Sequence, residues 1–172
     1  MKNKILIVLG GVTFLLFSIS RFAAGQEKAT PQEVIQKVHA AADTLSQSGE
    51  ASLAQFNQKH GPWVWKDTYI FVFDCPKGTI AAHPIRPDLI GKDARSLKGA
   101  KGTEFFPKLC EATANPSGVW VEYWWPKPGE EQASRKVSYA LQARNTLYIV
   151  GAGIYDDKAR VADLEKLTSG AK

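Results

Sequence analysis

Cysteine is scarce in this chain: Cys75 and Cys110 are the only two in 172 residues. They stand too far apart for metal-site spacing. No Cys-x-x-Cys-His occurs, which excludes c-type haem attachment. Histidine is nearly as rare, with His39, His60 and His83 scattered and no His-x-x-x-His pair. No nucleophile–base or paired-carboxylate arrangement is apparent, so nothing points to an enzyme, and no cofactor or metal is implied. Blocks of like charge are missing too. Lysine and arginine are interspersed with acids, unlike a nucleic-acid footprint. There is no internal repeat and no low-complexity segment.

Long hydrophobic runs are absent apart from one. Residues 5–20 are uncharged and mostly apolar, with Lys2 and Lys4 before them and Ala23, Ala24 and Gly25 after. That is the layout of a secretory leader cleaved after Gly25. The run falls short of the ~20 apolar residues of a membrane span, and Arg21 closes it. An uncleaved anchor is the alternative. No cysteine follows the run, which argues against lipid-attached export. Residues 1–25 hold three basic residues and no acid, so their removal lowers the net charge from +5 to +2. Residues 26–172 then suit a single domain with a real core. In an oxidising compartment Cys75 and Cys110 are expected to pair.

Thr30-Pro31-Gln32-Glu33 predicts a helix start: a hydroxyl cap, a first-turn proline and a Glu three residues after the cap. Val34, Ile35, Val38, Ala41, Ala42 and Leu45 recur at helical spacing to about residue 47. Residues 50–58 read as a short second helical stretch. Strands are predicted at 67–74 and 79–83, joined by a turn. A long irregular excursion, 84–102, follows, and such loops are often functional. Thr103 is expected to cap a helix reaching about residue 114. Three more strands, 119–125, 135–143 and 147–154, and a short amphipathic helix carrying Val161, Leu164 and Leu167 complete the chain. The order predicts an α+β domain with a five-stranded, mostly antiparallel sheet under a long N-terminal helix.

The densest signal is Val-Trp-Val-Glu-Tyr-Trp-Trp at 119–125. Small-molecule pockets are built from aromatics with a few placed polar groups. Strand alternation puts Val119, Val121, Tyr123 and Trp125 on one face, and Trp120, Glu122 and Trp124 on the other. The long helix is expected to cover one face and the excursion the other. Lys136 is an unusual residue within a strand; facing a pocket, it would hold a carboxylate as a point charge. His83 precedes Pro84 and so lies extended at a strand end. Tyr69 and Tyr139 offer orienting hydroxyls, and Trp63 and Trp65 are candidate walls. Gly151 and Gly153 mark a close approach in the last strand, with helix packing the expected cause.

Taken in order, Tyr69-Ile-Phe-Val-Phe-Asp74, the Lys-Gly turn, Ala82-His83-Pro84, Pro87-Asp-Leu-Ile-Gly-Lys92, Gly118-Val-Trp-Val-Glu-Tyr-Trp-Trp-Pro126, Lys136-Val-Ser-Tyr139 and Gly151-Ala-Gly-Ile-Tyr155 resemble the single Cache domain, type 2. These are extracytoplasmic sensor domains of bacterial chemoreceptors and histidine kinases. The resemblance spans about residues 30–157. It implies a long helix on a PAS-like sheet. It also implies a pocket on the other face for small ligands, often short carboxylates such as acetate, propionate or pyruvate. Carried over by position, Tyr69, His83, Trp125, Lys136 and Tyr139 are the pocket candidates. Lys136 and Tyr139 have opposite parity, so both reach one pocket only through a bulge, or if Lys136 precedes the regular strand. No signalling module follows the domain, which resembles freestanding, exported members. Such a chain is expected to bind its ligand alone and signal with a separate membrane receptor or histidine kinase. The rival reading is a ligand-free interaction module whose long helix pairs in a homodimer or with such a sensor.

Overall fold

Thr30 starts the longest helix, α1 (Pro31–Ser48). Its hydroxyl accepts the Glu33 N–H at 3.2 Å, and the Glu33 carboxylate accepts the Thr30 N–H at 2.8 Å. Two otherwise orphaned donors are thereby satisfied. Val34, Val38, Ala41, Ala42 and Leu45 form its buried stripe. Gly49, at positive φ, ends the helix, and its N–H returns to the Leu45 carbonyl. A short turn leads into α2 (Leu53–Phe56), which buries Phe56. The computed structural model describes residues 26–169, so the expected leader at 1–25 lies outside the described residues.

The predicted strand at 67–74 divides. Val64–Trp65 (β1) and Thr68–Tyr69 (β2) form a small hairpin turning at Lys66, and Phe71–Asp74 (β3) then enters the main sheet. Ile70 separates the two, because its N–H is taken by the Trp63 carbonyl at 2.9 Å. Thr79–Ala82 (β4) completes a hairpin with β3. The helix after the excursion is shorter than expected, α3 (Phe106–Cys110), capped by Phe105 without a side-chain bond. Thr103 is not the cap. A helix begun there would need an N–H from Pro107, which has none. Instead the Thr103 carbonyl accepts the Gly99 N–H at 2.9 Å.

Strands β5 (Val119–Pro126), β6 (Ala133–Gln142) and β7 (Tyr148–Ile154) follow, with α4 (Val161–Ser169) last. The sheet order is β4-β3-β7-β6-β5, antiparallel throughout. The protein is therefore α+β, with its N-terminal helix packed on a five-stranded PAS-like sheet. Within α4, Leu164 is buried while Leu167 stands exposed. Cys75 and Cys110 are bonded, tying the β3–β4 turn to the end of α3 with Cα atoms 5.9 Å apart.

Alternation sorts the sheet into two cores. Toward α1 lie Ile70, Val72, Trp120, Val137, Tyr139, Leu141, Val150 and Ile154. Toward the excursion lie Tyr69, Phe71, Phe73, Val121, Tyr123, Ala140 and Ile149, covered by Leu89, Phe105, Phe106 and Leu109. The second core is the aromatic one, and it holds the candidate site.

Candidate functional site

Lys136 lies on β6 opposite Tyr123 of β5. It points into the aromatic core and is only 1% exposed. Its path across β7 exists because residue 153 is glycine. A Cβ there would sit 2.8 Å from Lys136 Cε and closer still to Ser138 Oγ. The ammonium ends in a box of rings, 4.2 Å from the Tyr69 centroid, 5.2 Å from Tyr155 and 5.4 Å from Phe71. Ring faces attract cations, but no carboxylate pairs with Lys136 among the described residues. Burial pulls the amine down to about 7, and the charge of Asp67 pulls it part of the way back. Asp67 is itself buried and accepts the Ala29 N–H at 2.8 Å.

His83 follows β4 and is buried, its ring 4.8 Å from Tyr69 and 6.4 Å from Trp125. Its main-chain N–H donates to Asn57 Oδ1 at 2.9 Å. The Arg86 N–H donates to His83 Nδ1 at 3.0 Å, so the ring proton of the neutral form belongs on Nε2. Burial, then the charges of Lys136 and Arg86, push this imidazole down to about 3. At neutral pH it is an uncharged N–H donor. Burial likewise raises the Tyr69, Tyr123 and Tyr155 hydroxyls well above the usual tyrosine value. Tyr123 shares a hydrogen bond with Ser138 Oγ at 2.9 Å, and Tyr155 donates to the Pro126 carbonyl at 2.7 Å. Phe105 stacks on Tyr123 at 4.5 Å and meets Trp125 edge-on at 5.5 Å.

The fold thus gathers four of the five sequence candidates, Tyr69, His83, Trp125 and Lys136, on one face. Tyr139 is not with them. The β5–β6 register runs unbroken from Val119↔Ala140 to Pro126↔Ala133, so no bulge reconciles Lys136 with Tyr139. Tyr139 faces α1 instead, 5.1 Å from Trp120, and its hydroxyl donates to the Ser117 carbonyl at 2.9 Å. Trp63 and Trp65 also belong to the α1 side, where Trp63 packs 5.0 Å from Phe56. The close approach at Gly151 and Gly153 comes from Phe71 and Lys136, not from a helix.

Phe71, Phe105, Tyr123 and Tyr155 complete the box, and the sequence reading did not name them as site residues. Tyr123 shares parity with Trp125, and Tyr155 with Gly153, so alternation held that signal. Phe105 belongs to the segment from Thr103, where the expected helix turns it inward without assigning it to the site.

The interior space among Tyr69, His83, Phe105, Tyr123 and Trp125 measures about 10 Å³, roughly what one water needs. Tyr69 and Trp125 also wall an outer cleft of about 500 Å³, bounded by Ile85, Arg86 and the β5–β6 turn. Chemically the interior lining offers an imidazole N–H and two tyrosine hydroxyls with no acid, and the Lys136 amine lies over the ring of one of them, Tyr69. Such a donor set suits an anion. No cluster of three metal-ligating side chains occurs among the described residues. No described helix is long and apolar enough to cross a membrane.

A family model described as a Cache domain matches residues 63–160. The methyl-accepting chemotaxis protein McpP of Pseudomonas putida is 29% identical over 92 residues, 53% of this chain and 16% of that protein. The sensor histidine kinase MctS of Rhizobium johnstonii is 32% identical over 92 residues, 54% of this chain and 20% of that protein. The matches thus span a fifth or less of the length of these two relatives. A solved Cache chemosensory domain, studied for carboxylic acid recognition, shares the fold with a TM-score of 0.60 at 24% identity. It covers 73% of this chain and 92% of its own.

Proposed function

Because the chain belongs to the Cache domain family, as a single Cache domain of type 2, we propose that it binds a short carboxylate in the aromatic box around Lys136. Cache domains are extracytoplasmic sensory modules of chemoreceptors and histidine kinases, and they are not enzymes. The observation that carries the reading is Lys136: a fully buried amine with no ion-pair partner among the described residues, the Asp67 charge acting on it without a salt bridge. A buried charge is costly unless it is paired, and a bound carboxylate supplies the missing partner. In this reading His83 Nε2–H and the Tyr69 hydroxyl orient the second oxygen, and Trp125 closes over the ligand. Carboxylic acid recognition in the solved structural neighbour is consistent with this chemistry.

The reading has the domain exported and reporting to a separate membrane receptor or histidine kinase, the kinds of protein its relatives are. One charged contact and apolar burial correspond to micromolar affinity, on the order of −8 kcal/mol. Isothermal titration of acetate, propionate and pyruvate into the wild type and Lys136→Met tests it. Binding by the wild type alone is expected. If neither protein binds any of them, the carboxylate reading fails and the ligand-free interaction module takes its place.

A further inference from the structure

The interior and the outer cleft share two walls, Tyr69 and Trp125. Resting on the carboxylate reading, we infer that the ligand is held across that collar. Its carboxylate sits inside at His83 and Tyr69, the ring over which Lys136 lies, and an apolar tail lies in the outer cleft. The preferred ligand is then a monocarboxylate with a body longer than that of acetate.

Space is the first argument. About 10 Å³ inside is less than the ~30 Å³ share of one liquid water. Even a carboxylate must therefore displace a wall. Trp125 is the wall able to move, since it is half-exposed and sits near the end of edge strand β5. The tail has no room behind it, because Leu89, Leu97 and Phe105 close the far side. Outside, about 500 Å³ lies open, within the usual range of roughly 300–1,000 Å³ for small-ligand pockets.

Chemistry is the second. Ile85, Pro126, Pro128 and the two collar rings give the cleft an apolar floor. Two of its three cations are already paired. Arg86 holds Asp88 through two bonds of 2.8 and 2.7 Å, and Lys127 lies 3.7 Å from Glu130. Lys59 and Glu131 lie at the same rim. A second carboxylate on the tail meets Glu130 and Glu131 at that rim and must give up water, so dicarboxylates are disfavoured.

The test is calorimetric titration of the full chain with acetate, butyrate, hexanoate and adipate. Affinity is expected to rise about fourfold per added methylene, the equivalent of ~0.8 kcal/mol, until the cleft is full. Adipate is expected to bind roughly tenfold or more weakly than hexanoate. Ile85→Ser and, on the exposed turn, Pro128→Ser should weaken hexanoate about threefold to tenfold and leave acetate unchanged. The inference is overturned, with the carboxylate reading intact, if acetate binds as tightly as hexanoate. It is likewise overturned if both cleft variants weaken the two acids alike. If no acid binds, both readings fall together.

Discussion

The two faces of the sheet are built from the same strands, yet they are different materials. On the α1 side the packing is mostly aliphatic, and most polar tips find partners: Tyr139 on the Ser117 carbonyl, Tyr148 on Glu50 at 2.7 Å, Thr68 on the Gly153 carbonyl. Two neutral indole N–H groups, of Trp65 and Trp120, are left without a bond. On the excursion side the core is aromatic and contains an unpaired ammonium and an uncharged histidine. A regular helix over regular strands leaves little to recognise. An irregular cover over the opposite face leaves a charge waiting for its counter-ion. One face supplies stability; under the proposed function the other gives some of it up for binding.

The contrast can be tested first where it is largest. Leu45 is fully buried on the α1 side. Leu45→Ala should cost about 3 kcal/mol of unfolding free energy while leaving the ligand affinity of the folded protein unchanged. Urea unfolding and calorimetry on the same sample read both. A change in affinity would show that the two faces are coupled.

Lys136→Met should act in the opposite direction. Replacing a buried, unpaired cation with a chain of similar volume should stabilise the ligand-free protein by about 2 kcal/mol and abolish stabilisation by carboxylates. A destabilised variant would mean that the ring box and Asp67 already satisfy the charge.

Gly153→Ala is subtler. The added methyl would push on Lys136 Cε and Ser138 Oγ, costing about 1–2 kcal/mol and displacing the ammonium. Ligand binding should fall more than stability does. Unaltered binding would remove the case for Gly153 as the residue that seats Lys136.

The smallest effect is protonic. The folded amine titrates near 7, against about 10.4 when unfolded. Between those values the unfolded chain holds a proton that the folded one has released. The ligand-free protein therefore gains stability as pH rises through that window, and the cost of Lys136 is complete below it. A bound carboxylate restores the charge, so binding takes up a proton above pH 7. Affinity should then fall about tenfold per pH unit, or ~1.4 kcal/mol, in wild type and not in Lys136→Met. A flat profile from pH 7 to 9 would mean that the amine stays charged without its ligand.

Much of this was legible in the residues. Thr30 and Glu33 mark the start of α1 because a capping box is local chemistry. The strands, the antiparallel order and the Cys75–Cys110 bond also follow from short patterns and compartment. Tyr69, His83, Trp125 and Lys136 were singled out from residue type, position and resemblance, and the fold brings them together. At Tyr139 two signals disagree: the resemblance puts it in the pocket, alternation puts it on the face away from Lys136, and the unbroken register follows alternation. Thr103 failed because a cap residue says nothing about the proline four positions later. Gly151 and Gly153 announced a close approach, but a missing side chain cannot say from which side the neighbour comes.

What the sequence determined by itself is which residues share a face. The pleat fixes that within a strand, residue by residue, whatever lies above or below. What only the tertiary structure decided is the cover each face receives, and therefore its electrostatics. Lys136 is a buried amine without an ion pair because segments far apart in the chain, around Tyr69, Phe71 and Tyr155, close over it and bring no carboxylate into salt-bridge contact. Pairing and desolvation depend on those long-range neighbours, and no local pattern records them.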